Sequence, residues 1–274
     1  MLKFQILGAI EIQSPLCTIR PKGTLQRALL ATMLVSEGHL VPTDTLIDEI
    51  WGSEPPDGVE NAIHAHVSRL RRKLAPLEEG DRSTQLVTHP RGYRLVLGDD
   101  QLDALVFSNG YERLKEASGP SAKVAADCRH LLNLWSGSVF GGPVGGPTCQ
   151  AAVAQYDEAR RAVQERLFDC ELDDAQHERA IPELRRLLIT HPYQERLHQQ
   201  LMIALYRAGR QTEALQVYRD LSRGLAEELG LTPSPAMQAY EKAVLDQDPV
   251  LNWSSIVGPT AAQRALVRPS PVRN

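Results

Sequence analysis

Two stretches decide how this chain is read: Gly58–Leu74, GVENAIHAHVSRLRRKL, and the THPRGYRL of Thr88–Leu95 that follows it. In the first, Ile63, Val67, Leu70 and Leu74 recur at intervals of four, three and four, a narrow apolar stripe down one side of a helix. That side faces a core. At about 100° per residue, the other side carries Asn61, Ala65, Ser68, Arg69 and Arg72, flanked by His64 and Arg71 on one hand and His66 and Lys73 on the other. Four Arg or Lys and no acid lie between Asn61 and Leu74. A plain solvated amphipathic helix shares that pattern, so the residues after it decide. Gln85–His89 and Tyr93–Leu97 are rich in Val, Leu, Thr and Tyr and are parted by Pro90, Arg91 and Gly92, which predicts a β-hairpin with a basic tip. A helix exposing amide, hydroxyl and guanidinium groups suits the major groove, where Asn pairs with adenine and Arg with guanine. Followed by a basic hairpin, it makes a winged helix.

Upstream, Leu2, Phe4 and Ile6 alternate with Lys3 and Gln5, and Ala9–Gln13 and Cys17–Arg20 continue as short strands, so a small antiparallel sheet precedes the helices. Thr24 begins a helix that runs to about Ser36, with Leu25, Ala28, Leu29 and Met33 on one side. A second helix spans about Thr43–Trp51 and buries Leu46, Ile47, Ile50 and Trp51, the last read as a core aromatic. Gly52–Asp57, with two prolines, connects it to the basic helix.

Beyond Gly98 strand signals fade and long helical patterns take over, first at Leu102–Ala117 and Ala122–Leu134. Ser136–Thr148, SGSVFGGPVGGPT, lacks a preceding strand, a following GK[ST] and GxGxxG, so it is read as a flexible connector and not a phosphate cradle. From Gln150 the chain repeats at an offset of 34: Leu167 with Leu201, Ala180 with Ala214, Leu184 with Tyr218 and Leu187 with Leu221. That is the tetratricopeptide period, in which helix pairs bury their apolar faces only when neighbours stack. The expected class is mainly α: a winged helix (α+β) over residues 1–97, an all-α tetratricopeptide-like domain over 98–248, and a disordered tail over 249–274.

Two segments carry a family likeness. IWGSEPPDGVENAIHAHVSRLRRKL with THPRGYRL resembles the OmpR-type winged-helix DNA-binding domain, the kind that serves as output domain in two-component-like phosphorelays, in the variant found in the SARP family of antibiotic regulators. ALYRAGRQTEALQVYRDLSRGLAEELGLTPSP, Ala204–Pro235, resembles the bacterial transcriptional activation domain that follows it in SARP proteins. The resemblance implies a transcriptional activator that binds direct repeats in double-stranded DNA at promoters of a secondary-metabolite gene cluster. It implies two copies arranged head to tail on that DNA and recruitment of RNA polymerase through its σ and α subunits, and it makes Gly52–Asp57 the loop that can touch the polymerase. On this reading Asn61, His64, Ala65, Ser68 and Arg69 face base edges. Arg71, Arg72 and Lys73 meet phosphates, Arg91 and Arg94 of the wing reach the minor groove or backbone, and Arg27, Lys22 and Arg20 are further phosphate candidates.

Composition narrows the rest. The net charge of -4 splits into 0 over residues 1–97, -7 over 98–248 and +3 over 249–274; within the first segment the acids collect at 44–60 and 78–81 and the bases on the helix and the hairpin, so local charge and not the sum decides what a phosphate meets. Cys17, Cys128, Cys149 and Cys170 show no CxxC or zinc spacing, so free thiols are expected, as in a cytoplasm. With no apolar run approaching a membrane span and no leader pattern, a cytoplasmic, nucleoid-associated protein is expected. GxSxG, HExxH and kinase signatures are missing and the eight histidines are scattered, so neither catalysis nor a cofactor nor a metal is expected. The rival reading from another class is an adaptor or ligand sensor built on the helical repeat, with the winged helix serving assembly. Salt dependence of binding separates the two.

Overall fold

The computed structural model describes residues 2–15, 17–75, 86–97 and 102–252, and packing divides them into two compact units. The first comprises residues 1–117 and 127–163, the second 118–126 and 164–274.

In the first unit, β1 (Lys3–Gln5), β2 (Glu11–Gln13) and β3 (Thr18–Ile19) form an antiparallel sheet with Phe4 opposite Ile12 and Ile12 opposite Ile19. Helix α1 (Thr24–Val35) buries an unbroken run from Ala28 to Leu34, more than one stripe, because elements cover it on several sides. A second sheet has the order β4-β6-β5, from β4 (Leu40–Pro42), β5 (Leu86–His89) and β6 (Gly92–Leu95). Between its strands come α2 (Thr43–Trp51) and α3 (Val59–Leu74). The strand β4, three residues long, is too short to leave a period in the sequence. Its partner β6 needs Gly92 opposite Pro42, since a Cβ at 92 would lie 2.0 Å from the Val41 carbonyl oxygen.

The expected junction at 97/98 is not where packing divides the chain. Helix α4 (Asp103–Glu116) opens at Asp103, whose carboxylate accepts the main-chain N–H groups of Ile6 (2.9 Å), Leu7 (3.0 Å) and Ala104 (2.8 Å). Phe4 and Leu102 form a parallel bridge. Phe107 and Trp135, both buried, meet edge to face at 5.3 Å between centroids. Residues 127–163 follow the same unit, which holds the later part of α5 (Ser121–Leu132) and the start of α6 (Pro147–Asp173).

The glycine-rich segment between those helices is not the free connector expected of its composition. The Ser136 and Phe140 amides donate to Leu7 and Ile6, and Val139 and Phe140 are buried. Further along, the Glu49 carboxylate of α2 accepts N–H from Gly146 (2.8 Å), Thr148 (2.5 Å) and Cys149 (3.2 Å). A helix start leaves main-chain donors without intrahelical partners, and here an acid from a remote element caps α6. Gly145, at φ 71°, allows the turn, and a Cβ there would sit 2.5 Å from the Cys149 sulfur. Glu49, absent from the apolar face predicted for α2, is therefore buried beside Leu46, whereas Ile47, Ile50 and Trp51 are only half-buried.

The second unit carries the repeat. The later part of α6 with α7 (His177–Thr190), and α8 (Glu195–Arg207) with α9 (Gln211–Gly224), form successive helix pairs, closed by α10 (Pro235–Leu245). Leu167, Leu201, Ala180, Ala214, Leu184, Leu187 and Leu221 are buried, and Tyr218, the counterpart of Leu184, is half-buried against the same core, so the 34-residue offset matches packed positions in three pairs fully and in one partly. Arg196 and Gln200 of α8 both bond to Asp169 of α6 at 2.7 Å, a polar tie within this apolar array. Residues 249–252, expected to begin a disordered tail, instead form a turn. Asp248 caps it through the Val250 amide, Leu251 is buried, and Arg207 donates to the Leu251 carbonyl at 2.8 Å. The rest of that tail, 253–274, lies outside the described residues.

Candidate nucleic-acid interface

Helix α3 buries Ile63, Val67, Leu70 and Leu74, the stripe its spacing predicts, and turns Asn61, Ser68, Arg69 and Arg72 out as exposed side chains. Ala65 between them is half-buried. Between Asn61 and Leu74 no side chain is acidic, and Arg69, Arg72 and Lys73 make no ion pair among the described residues. This face can neutralise phosphate and donate to or accept from base edges.

Each flank of α3 is braced differently. On the wing side, the Arg71 guanidinium donates from two nitrogens to the Leu86 carbonyl (2.9 and 2.7 Å) and from one of these to the Thr88 hydroxyl (2.7 Å). Arg71, expected on a phosphate, is thus mainly a strut between helix and wing. His64, exposed, places Nδ1 2.6 Å from the hydroxyl of buried Tyr93. On the α1 side, Lys73 bonds to the Gln26 side-chain oxygen. His66, which the spacing puts on a polar flank, is in fact buried, with its ring 6.4 Å from Trp51. Burial, then the nearby Arg69 charge, push its pKa below the usual histidine value and keep it neutral.

Between that flank and the start of α1 lies a cleft of about 590 Å³. Lys22, Arg69, Arg72 and Lys73 line it together with the first turn of α1, which has neither a side-chain cap nor an acid. A helix start without a side-chain cap and four cations around one hollow attract anionic oxygen.

The remaining candidates divide. Arg91 is exposed at the wing tip, and Arg94, also exposed, donates from Nε to the Gly38 carbonyl at 2.5 Å. Arg27, half-buried, donates from one guanidinium nitrogen to the Phe140 carbonyl at 2.7 Å, a tie within the fold. Arg20 pairs with Glu11 at 2.6 Å. Residues 52–58, between α2 and α3, are all exposed. Tyr93 and Gln26, which hold His64 and Lys73 on the two flanks of this face, were not among the expected site residues. Tyr93 alone left a signal, as the large aromatic beside the glycine of the wing.

Among the described residues there is no group of three or more His, Cys, Asp or Glu able to hold a metal ion, and no helix is long and apolar enough to cross a membrane. The described cysteines are free thiols, with Cys17 exposed and the other three buried.

Residues 22–95 match the family described as "Transcriptional regulatory protein, C terminal", and residues 102–245 match "Bacterial transcriptional activator domain". Regulatory protein AfsR of Streptomyces coelicolor is 37% identical over 98% of this chain, which spans 26% of that protein. The chain likewise spans about a quarter of the Streptomyces griseus AfsR. Transcriptional regulator RedD of Streptomyces coelicolor is 32% identical, with 93% of this chain and 73% of RedD covered. Regulatory protein DnrI of Streptomyces peucetius is 29% identical, with 97% and 100% covered. A solved structure of Mycobacterium tuberculosis EmbR in complex with a low affinity phosphopeptide superposes with a TM-score of 0.82 at 26% identity, over 97% of this chain and 69% of EmbR.

Proposed function

Since the chain belongs to the SARP family of DNA-binding transcriptional regulators, we propose that it activates transcription by binding direct repeats at the promoters of an antibiotic or other secondary-metabolite gene cluster and recruiting RNA polymerase there. The observation that carries this is the exposed face of α3, basic and free of acid, with a wing on one flank and a cationic cleft on the other. In this reading α3 lies in the major groove with Asn61, Ala65, Ser68, Arg69 and His64 toward base edges. Arg72, Lys73 and Lys22 hold the backbone at the cleft, and Arg91 and Arg94 meet the minor groove or backbone on the other side. The exposed 52–58 loop is the surface offered to the σ and α subunits. The protein acts in the cytoplasm, at the nucleoid, without catalysis and without a cofactor.

Two copies bind head to tail. A two-fold dimer demands an inverted-repeat site, whereas head-to-tail packing demands direct repeats about one helical turn, roughly 10 to 11 bp, apart. No sustained heptad in the sequence offers a two-fold dimer seam. Footprinting the promoters beside the protein's own gene supplies a site, and titrations over a range of salt then test the reading. Log affinity falls steeply with log salt, and Arg72→Ala weakens all sequences and lowers that slope by about one. Asn61→Ala instead relaxes preference at one position, at a cost of about 1 to 3 kcal/mol. Adding about 5 bp between repeats abolishes cooperative loading and a full turn restores it. Salt-independent binding would overturn the DNA reading, and unchanged affinity with one half-site inverted would overturn the head-to-tail arrangement.

A further inference from the structure

What a side chain reads in the major groove depends on whether it offers a hydrogen or a lone pair. Asn and Ser can offer either, but a neutral imidazole has one N–H and one bare nitrogen, and its tautomer is set by whatever holds the other side of the ring. An exposed histidine on a helix ordinarily samples both tautomers and both ring flips. His64 is exposed but not unattached: its Nδ1 is 2.6 Å from the Tyr93 hydroxyl, and the two rings meet edge-on, 5.9 Å between centroids at 77°.

The burial of Tyr93 bears on the direction of that bond. Tyr93 is 2% exposed, and His64 is the only hydrogen-bond partner of its hydroxyl among the described residues. A buried O–H that donates to nothing carries the cost of its lost hydration, while a phenol oxygen tolerates an unused lone pair far better. Among the described residues the acceptor its hydroxyl meets is His64 Nδ1. With Tyr93 donating, Nδ1 is bare and the ring N–H lies on Nε2.

We infer that Tyr93, a residue of the wing strand β6, sets base specificity through α3: by donating to His64 Nδ1 it holds His64 as the Nε2–H tautomer, so that position 64 presents a donor and only a donor. Such a group selects a base edge with an acceptor (purine N7, guanine O6 or thymine O4) and rejects the exocyclic amine of cytosine. Tyr93 touches no base and acts as a positioning residue. The inference rests on the DNA-binding reading proposed above, and its tests separate the two.

Long-range 15N–1H correlation NMR of the full chain without DNA reports the tautomer directly. His64 is protonated at Nε2 in the wild type and shows mixed tautomers in Tyr93→Phe; a wild-type His64 protonated at Nδ1 overturns the inference whatever the DNA data say. Competition titrations against a mapped site with each base pair replaced in turn give the second readout. Tyr93→Phe and His64→Ala each lose roughly 3- to 10-fold of preference, the value of one neutral hydrogen bond, at the same base pair. The double variant loses no more than His64→Ala, because the tyrosine acts only through the histidine. The salt slope is unchanged. Should Tyr93→Phe melt before it can be assayed, His64→Asn, which places a polar group at the Nδ1 position and none at Nε2, loses the same preference, and retention overturns the proposal. If Tyr93→Phe weakens every sequence alike, or its effect adds in full to His64→Ala, Tyr93 is a structural residue and the inference fails while DNA binding stands. Absence of salt-dependent binding by the wild type overturns the reading beneath it.

Discussion

Glu49 illustrates how much a single side chain can hide from a linear reading. Its position three residues after Leu46 suits a buried stripe, but an acid there is ordinarily assigned to solvent. Only the folded chain brings the donors of Gly146, Thr148 and Cys149 to it across 97 to 100 residues of sequence. Burial pushes its carboxyl up, but the bonds from Thr148, Cys149 and Gly146 together outweigh that, so its pKa lies below the ordinary 4.5. Because the folded value is the lower one, stabilisation by the ionised group is complete above the unfolded value and is lost as pH falls through the folded one. Glu49→Gln is expected to cost about 1 to 3 kcal/mol at neutral pH, and the gap to wild type should narrow below about pH 4. Urea titrations across pH check this; a gap independent of pH would mean that charge plays no part in the cap. The neighbouring Cys149 thiol, pushed up to about 12 by burial, stays protonated beside that carboxylate throughout. The burial of His66 and the Arg27 bond to Phe140 escape a linear reading for the same reason as the Glu49 cap. Spacing gives a residue's angle on its own helix, and Trp51 and the Phe140 carbonyl come from elsewhere.

At the level of elements the sequence was far more legible. Helices α1 to α5 announce themselves by apolar pattern and α6 to α9 through the 34-residue repeat, and the four-and-three stripe of α3 is the one its core contacts use. The wing was legible from Pro90, Arg91 and Gly92, whereas β4, three residues long, carries no period at all. Pairing explains what the wing requires. Gly92→Ala would drive a methyl into the Val41 carbonyl, so this variant is expected to separate β6 from β4 and lose affinity for every DNA sequence, with a lowered melting temperature. Normal stability with normal binding would mean that the hairpin is not held by β4. In the helical repeat Ala214 of α9 is fully buried within the core shared with α8. Ala214→Leu is expected to overpack it by about 1 to 3 kcal/mol in thermal or urea melts; a neutral result would contradict close packing at that position.

Over the whole chain, the junction that sequence places at 97/98, and that falls between the matched families at 22–95 and 102–245, is a boundary of ancestry more than of packing. Asp103, Leu102, Phe107 and the 136–149 segment complete the unit that contains the wing. A fragment ending at residue 97 would retain Glu49, Ile6 and Leu7 without their partners. It is expected to melt well below the full chain and to bind DNA weakly for want of a stable fold; a 1–97 fragment as stable as the parent would show those ties to be dispensable. The sequence could not display this dependence, since composition and repeat period change at Gly98 while the hydrogen bonds cross that point unmarked. The Glu49 cap carries a further consequence for inheritance. Two genes of this family that recombine at the natural-looking seam near residue 100 would join one parent's acid to the other parent's glycine turn. Such hybrids should function only where both parents keep a carboxylate and a Cβ-free turn in register, so the acid and the turn are expected to change together among descendants, on either side of a crossover that would otherwise be free.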